Sequence, residues 1–129
     1  MMFEPLVRAA LLEDLGRAGD LTTDAIVANE RHVTTVLAAR QQGVVAGLDL
    51  AMLAFKLIDP NVEMTVERAD GSEVAQGEVI ASVSGPARAI LTAERTALNF
   101  LGHLSGIATA TTSIVNAVRG HKAKIVCTR

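Results

Sequence analysis

The chain has 129 residues, of which half are hydrophobic and a fifth are charged, and its formal net charge is -2 at pH 7. This composition is typical of one modest globular domain rather than two. The weak charge, the lack of Trp and Tyr and the presence of three Phe argue against a nucleic-acid partner, because such partners need a basic surface and aromatic platforms.

The expected compartment follows from the cysteine count and the N-terminus. A single cysteine, Cys127, allows no internal disulfide and fits a reducing compartment. The opening residues carry Glu4 and soon Glu13 instead of the basic and then apolar run of a signal peptide. No apolar stretch reaches the roughly 18 to 20 residues that span a membrane. We therefore expect a soluble cytoplasmic protein with no membrane partner.

The first third of the chain alternates between helical and extended patterns. Apolar residues recur at helical spacing from Leu6 to Leu15, and Gly16 follows where a helix would end. Residues 19–24, Gly-Asp-Leu-Thr-Thr-Asp, are rich in turn formers and predict a linker. β-Branched residues then predict a strand from Val33 to Arg40, and a second short strand follows from Val44 to Ala46.

A helix and an antiparallel β region come next. Asp49 is a good N-cap for an apolar helix from Leu50 to Ile58, which Asp59-Pro60 would end. Apolar residues alternate with polar ones at positions 62–66 and again at 79–83, which predicts two half-buried strands. Tight-turn signals lie between these strands, at Asp70-Gly71 and Gln76-Gly77.

The last third is dominated by one long helical pattern. Apolar side chains recur every three or four residues from Thr92, which predicts a helix over 92–118, roughly 40 Å long at about 1.5 Å per residue. Gly102 and Gly106 weaken this helix and predict a kink or break. Residues Lys124 to Cys127 then begin a new apolar strand. Two interpretations stay open for it: it pairs back onto the antiparallel sheet, or its partner strands belong to a part of the protein beyond this chain.

Arg95 is the most informative residue for function. With Thr92 as N-cap, Arg95 falls in the first helical turn, where a cation is unfavourable by about 0.3 to 1 kcal/mol. An anion site would explain this placement, because free backbone N–H groups and a guanidinium can converge on a carboxylate or phosphate. The alternative is a surface arginine that pairs with Glu94 or another acidic residue, and the residues alone favour that alternative.

Other polar residues give weaker signals. Asn99, His103 and Gly106 follow Arg95 at helical spacing and share a stripe beside the apolar face. His103 could carry a proton, although a lone helical histidine is more often a structural hydrogen-bonding residue. No second ligand is spaced to complete a metal site. Cys127 lies in an apolar segment and is expected to be a buried, unreactive thiol.

Three segments carry a family resemblance. They are Glu13-Asp14-Leu15-Gly16 with Gly19-Asp20-Leu21-Thr22-Thr23, then Gly43-Val44-Val45-Ala46-Gly47-Leu48, and most specifically the run from Leu91 to Thr109, LTAERTALNFLGHLSGIAT. This pattern resembles the quinolinate phosphoribosyltransferases, and the resemblance extends over essentially the whole chain. In that family the next segment is a strand ending Thr-Arg-Lys-Thr, of which Thr128-Arg129 would be the beginning.

The resemblance implies an enzyme of NAD biosynthesis. The family condenses quinolinate with phosphoribosyl pyrophosphate and yields nicotinate mononucleotide, pyrophosphate and carbon dioxide. The fold implied is α+β, with a small, mostly antiparallel sheet packed with helices, similar to an α/β-hammerhead. Residues 1–118 would form this domain, including the long helix 92–118. Residues 119–129 would be a linker and the first strand of an α/β barrel that is absent, so we expect the isolated chain to be inactive.

The resemblance also implies roles for three residues. The family works as a dimer in which the N-terminal domain of one subunit caps the barrel of the other. Arg95 would reach the partner's site and bind a quinolinate carboxylate, while Arg129 and Thr128 would contact substrate in their own barrel. Magnesium would accompany phosphoribosyl pyrophosphate in the full enzyme, and this chain alone would bind no cofactor and supply no catalytic group.

Two alternative functions stay open. The paired turns resemble those of biotinyl or lipoyl carrier domains, but a carrier needs a lysine at a hairpin tip, and Lys56 falls within a predicted helix. The molybdenum-linked relatives of the same superfamily share the scaffold and act on another substrate. The Glu-Arg-Thr-Ala-Leu-Asn run, which starts at Glu94, favours the quinolinate enzyme.

Overall fold

The computed structural model describes residues 2–16 and 31–128 of the chain. The predicted linker at residues 19–24 and the candidate Arg129 lie outside the described residues. The described residues form, in chain order, α1 (Glu4–Leu15), β1 (His32–Ala38), β2 (Gly43–Val44), α2 (Leu48–Ile58), β3 (Glu63–Val66), β4 (Glu73–Val74), β5 (Val79–Pro86) and α3 (Ala87–Ala117). The α+β class expected from the sequence is confirmed.

Helix α1 agrees with the first helix predicted from the sequence. Val7 and Leu11, one turn apart, are its buried side chains and join the core. Gly16 ends the helix with a φ of 62°, and its N–H donates to the carbonyl of Leu12 at 2.9 Å. A glycine at this position terminates the helix because it adopts positive φ without a side-chain clash.

The main sheet has three antiparallel strands in the order β1-β5-β3. Leu37 on β1 lies opposite Ala81 on β5, and both are buried. Met64 on β3 lies opposite Val83. Alternate residues of the central strand therefore face the core, as the period-two pattern predicts. The antiparallel arrangement expected for the middle of the chain is confirmed.

A second, two-stranded sheet joins β2 to β4. The strand predicted at Val44–Ala46 begins one residue earlier and is shorter. The N–H of Val45 donates to the Ser72 carbonyl in the turn before β4, and the N–H of Ala46 donates to Ser105 of α3. Both predicted turns are present. Ser72 N–H donates to the Ala69 carbonyl at 3.0 Å across the first, and Glu78 N–H donates to the Ala75 carbonyl at 3.2 Å across the second.

Helix α2 is capped differently from the sequence prediction. Gly47 occupies the N-cap position with a φ of 101°, and Asp49 lies exposed in the first turn with no capping hydrogen bond. The carboxylate of Asp70 caps the helix instead: it accepts the N–H groups of Gly47 at 3.1 Å and Leu48 at 3.2 Å. The assignment of Asp49 as N-cap is therefore wrong, because a residue distant in sequence supplies the acceptor that a local aspartate was expected to give.

Helix α3 starts earlier than predicted. It begins at Ala87, directly after β5, and not at Thr92, and it ends at Ala117. Ala87, Ala89 and Ile90 are buried, so the first turns are stabilised by packing and need no side-chain cap. The helix runs without interruption through Gly102 and Gly106, so the break that the sequence predicts there is absent.

The core joins the sheet and all the described helices. Small residues face one another where α2 and α3 pack together, among them Ala51 and Ala54 on α2 and Ala93 and Ala97 on α3, and all four are buried. Phe55 is the largest fully buried side chain. Because alanines let two helices approach closely, α3 is held firmly along its N-terminal half.

The C-terminal segment does not form the predicted strand. Residues 123–128 have no regular structure and are exposed, including Cys127, so the expectation of a buried thiol is wrong. A strand needs a hydrogen-bonding partner, and none of the described strands pairs with this segment. The division of the chain into residues 1–118 and 119–129 stays a prediction. Among the described residues, no helix is both long and apolar enough to cross a membrane.

Candidate functional site

A cleft of about 660 Å³ lies between α1 and α3. Its described lining includes two carboxylates, an amide, an imidazole and a hydroxyl together with two apolar residues: Ala10, Glu13, Asp14, Thr96, Asn99, Phe100 and His103. The residues from α1 come from its last two turns, and those from α3 recur at helical spacing. The cleft is thus built by two helix faces that only the tertiary fold brings together.

Arg95 contacts this cleft through Asp14. Its Nη1 lies 2.9 Å from Oδ1 of Asp14, a residue 81 positions earlier in the sequence. The arginine side chain is 74% exposed, whereas that of Asp14 is 20% exposed. The structure therefore confirms a surface arginine paired with an acidic residue, and the pairing acid is Asp14 instead of Glu94.

The prediction that Arg95 lies in the first turn of a helix, beside free backbone N–H groups, is wrong. Because α3 begins at Ala87, Arg95 lies in the third turn and not in the first, so the free N–H groups of the helix start do not surround it. The available anion-binding group is the guanidinium itself. One of its N–H groups is held by Asp14, and the others have no partner among the described residues.

Thr96 is a cleft residue that sequence reasoning missed. It is 2% exposed. Among the described residues, its Oγ1 is the one buried side-chain polar atom that lacks a hydrogen-bond partner. A buried hydroxyl without a partner is costly, so such groups are uncommon in folded proteins. Helical spacing places Thr96 on the same face as Asn99 and His103, and this periodicity was the available signal.

Asn99 and His103 both line the cleft, which confirms that they share a helix face. Both side chains are exposed. Gly106, predicted on the same stripe, is exposed and is not among the described lining residues. The described residues contain no group of three His, Cys, Asp or Glu side chains that could hold a metal ion.

Segment 43–47 lies against the C-terminal half of α3 through hydroxyl groups. Thr109 Oγ1 accepts the N–H of Val44 at 2.9 Å, and Ser105 Oγ accepts the N–H of Ala46 at 3.0 Å. Ser105 also donates to the Ala46 carbonyl at 3.2 Å, so a helix side chain replaces a partner strand. The φ of 101° at Gly47 is one that other residues rarely adopt, and a Cβ there would also come within 3.3 Å of the Phe100 carbonyl, which together explain the need for glycine beside the helix.

Thr128, the other described residue that was predicted to contact substrate, is not among the described lining residues of the cleft. Thr128 is exposed in the irregular C-terminal segment, and its carbonyl accepts a weak hydrogen bond from the Cys127 thiol at 3.6 Å. Arg129 lies outside the described residues. From Arg95 to the end of α3 at Ala117 the helix rises roughly 33 Å at about 1.5 Å per residue. Along the chain, Arg95 and Thr128 are thus separated by the C-terminal part of α3 and by the irregular segment that follows it.

The fold and the cleft define the class of this protein as an α+β domain with a long helix that presents an exposed arginine. The family model "Quinolinate phosphoribosyl transferase, N-terminal domain" matches residues 20–105, which is more than half of the chain. The chain belongs to this family of quinolinate phosphoribosyl transferase N-terminal domains.

Curated relatives share the sequence over nearly all of this chain. The nicotinate-nucleotide pyrophosphorylase [carboxylating] of Mycobacterium leprae is 45% identical over 127 residues, which cover 95% of this chain and 44% of the relative. A probable enzyme of the same name from Bacillus subtilis is 37% identical over 129 residues, which cover 100% of this chain and 44% of the relative. The chain thus spans less than half the length of the curated relatives that it matches.

Solved structures share the fold. The nicotinate-nucleotide pyrophosphorylase of Francisella tularensis superposes with a TM-score of 0.88 at 34% identity, covering 95% of this chain and 44% of that one. The enzyme of the same name from Ehrlichia chaffeensis gives a TM-score of 0.86 at 32% identity, covering 93% and 43% of the two chains. The chain therefore has the architecture of one portion of these enzymes.

Proposed function

We propose that this chain is the N-terminal domain of an enzyme that condenses quinolinate with phosphoribosyl pyrophosphate. The products would be nicotinate mononucleotide, pyrophosphate and carbon dioxide, on the route to NAD. The observation that carries this proposal is the 45% identity to a nicotinate-nucleotide pyrophosphorylase over 95% of the chain. The barrel that completes the enzyme would follow Arg129.

Arg95 is the residue of the cleft region that we assign to substrate, and Thr128 and Arg129 are proposed to contact substrate in their own barrel. Quinolinate carries two carboxylates, and a planar guanidinium binds a carboxylate through two parallel N–H groups. Arg95 is 74% exposed and retains N–H donors beyond the one bonded to Asp14, so its guanidinium can reach a ligand outside its own domain.

We propose further that Arg95 acts in the site of a second subunit. Roughly 33 Å of helix at about 1.5 Å per residue separates Arg95 from the end of α3, where the barrel containing Thr128 and Arg129 would begin. This separation supports different sites for the two ends of the helix. Leu91 and Leu98, which flank Arg95 at helical spacing on α3, are also exposed, as expected of a surface that another subunit covers.

Magnesium would be bound with phosphoribosyl pyrophosphate by parts of the enzyme outside this chain. The described residues contain no group of three His, Cys, Asp or Glu side chains that could hold a metal ion. We therefore assign no metal ligand among the described residues. A cytoplasmic location is part of the same proposal.

A carrier function has no support in the structure. The ammonium group of Lys56 donates to the Pro60 carbonyl at 2.9 Å beside the end of α2, away from both tight turns. The turns themselves, at Asp70-Gly71 and Gln76-Gly77, contain no lysine. A prosthetic group attached to a hairpin tip would therefore have no attachment residue there.

The proposal is tested by the reaction itself. The full-length polypeptide that contains this chain is incubated with quinolinate, phosphoribosyl pyrophosphate and magnesium, and nicotinate mononucleotide is measured by chromatography. We expect product from the full-length polypeptide and none from residues 1–129 alone, because the barrel loops are missing from the shorter chain. A full-length polypeptide that forms no nicotinate mononucleotide would contradict the assigned reaction, and product from the isolated chain would contradict its assignment as a dependent domain.

A further inference from the structure

The position of Asp14 in its own helix calls for an explanation. Asp14 lies in the last turn of α1, next to Glu13, and this last turn contains no basic residue. The C-terminal end of a helix carries partial negative charge, so carboxylates there are unfavourable. Local helix stability therefore does not account for an aspartate at this position.

The folding stability contributed by the ion pair with Arg95 does not explain the position of Asp14 either. The arginine side chain is 74% exposed, and ion pairs in such solvent-exposed settings contribute little to folding because water and salt screen them. The two partners differ sharply in exposure, however. Asp14 is 20% exposed and is held by α1, whose Val7 and Leu11 are buried in the core. The less exposed Asp14 therefore restrains the orientation of the long, exposed Arg95 side chain.

The geometry leaves the guanidinium able to bind a second anion. Only Nη1 contacts Asp14, through Oδ1 at 2.9 Å. The other N–H donors of the guanidinium have no partner among the described residues, and the planar group keeps its geometry when one side is held. A carboxylate on one side of the group therefore orients it for a carboxylate on the other.

We propose that Asp14 is a positioning residue for Arg95: it holds the guanidinium in the orientation that receives the quinolinate carboxylate. This inference rests on the proposed function. Orienting the arginine before binding removes the conformational freedom that substrate would otherwise have to restrict, so its benefit is expected in substrate binding. In this proposal Asp14 acts on the substrate only through Arg95.

A double-mutant cycle in the full-length polypeptide tests this role. We expect Asp14→Ala to raise the KM for quinolinate about 3- to 10-fold, the range expected for releasing one restrained long side chain, with little change in kcat or in the KM for phosphoribosyl pyrophosphate. Because Asp14 acts through Arg95, adding Asp14→Ala to Arg95→Ala should change the kinetics no further. Asp14→Glu should restore part of the quinolinate affinity.

A matched control removes a different ion pair from the same helix. Glu4→Ala takes away the carboxylate that lies 2.7 Å from Arg8, and it should leave the quinolinate KM unchanged. Melting temperatures of all variants show whether α1 remains folded. An effect of Asp14→Ala that is equally large in the Arg95→Ala background would overturn the positioning role, since it would come from the helix and not from Arg95.

The outcomes separate this inference from the function on which it rests. If Arg95→Ala raises the quinolinate KM while Asp14→Ala leaves it unchanged, the positioning role is wrong and the substrate role of Arg95 stands. If Arg95→Ala leaves the quinolinate kinetics unchanged, the substrate role of Arg95 is wrong, and the role of Asp14 is overturned with it.

Discussion

At the scale of single residues, Arg95 shows both the reach and the limit of sequence reasoning. Its residue type and family pattern pointed to it, and the structure places it exposed beside a cleft. Its supposed position at a helix start was wrong because the preceding turns of α3 are stabilised by buried Ala87, Ala89 and Ile90. Its partner Asp14 could not be predicted, since 81 residues separate the two in sequence.

The substrate role of Arg95 predicts a defined kinetic change. In the full-length polypeptide, Arg95→Ala should raise the quinolinate KM and lower kcat, with a combined loss in kcat/KM of about 10- to 100-fold, the amount expected for one hydrogen bond to a charged group. Steady-state kinetics measure both constants. The control is Arg68→Ala, which removes another exposed arginine paired with a carboxylate, that of Glu78 at 3.2 Å. Equal kinetics for the two variants would contradict the assignment.

At the scale of secondary-structure elements, several patterns local in sequence predicted their elements correctly. The end of α1 at Gly16, the alternating strands and the two tight turns all follow from nearest-neighbour chemistry, and the structure confirms them. Features set by distant partners were not predictable. The backbone of segment 43–47 is held by hydroxyl groups of Ser105 and Thr109, about sixty positions later in the chain. The strand expected at Lys124–Cys127 fails to form because a strand requires a partner.

Capping of α2 by Asp70 gives a prediction about stability. Asp70→Ala removes the acceptor for two N–H groups at the helix start and should lower the free energy of unfolding by about 0.5 to 2 kcal/mol, the cost of losing an N-cap. Urea denaturation followed by circular dichroism measures it. The control is Asp49→Ala, which removes an exposed carboxylate of the first turn and should cost about 0.3 to 1 kcal/mol at low salt and less at high salt. A larger, salt-independent loss for Asp49→Ala than for Asp70→Ala would restore Asp49 as the cap.

At the scale of the whole molecule, the chain corresponds to less than half of the length of its relatives. It covers 44% of the Mycobacterium leprae enzyme, and it superposes on a similar share of solved enzymes of the same name. The described residues supply a rigid platform for α3 and an exposed arginine, while large apolar side chains remain exposed along that helix. The family resemblance of the sequence predicted that a second part of the enzyme is needed, whereas composition alone gave no such prediction.

Arg95 is proposed to bind substrate in the active site of a second subunit, and a subunit-mixing experiment tests this arrangement. Full-length Arg95→Ala and Arg129→Ala variants, each with little activity, are unfolded together, refolded and assayed for nicotinate mononucleotide. If each active site combines Arg95 of one subunit with Arg129 of the other, half of the refolded dimers are mixed and each mixed dimer has one intact site out of two. Activity should therefore return to about a quarter of the unmutated level. A mixture no more active than its two separately refolded components would contradict the account.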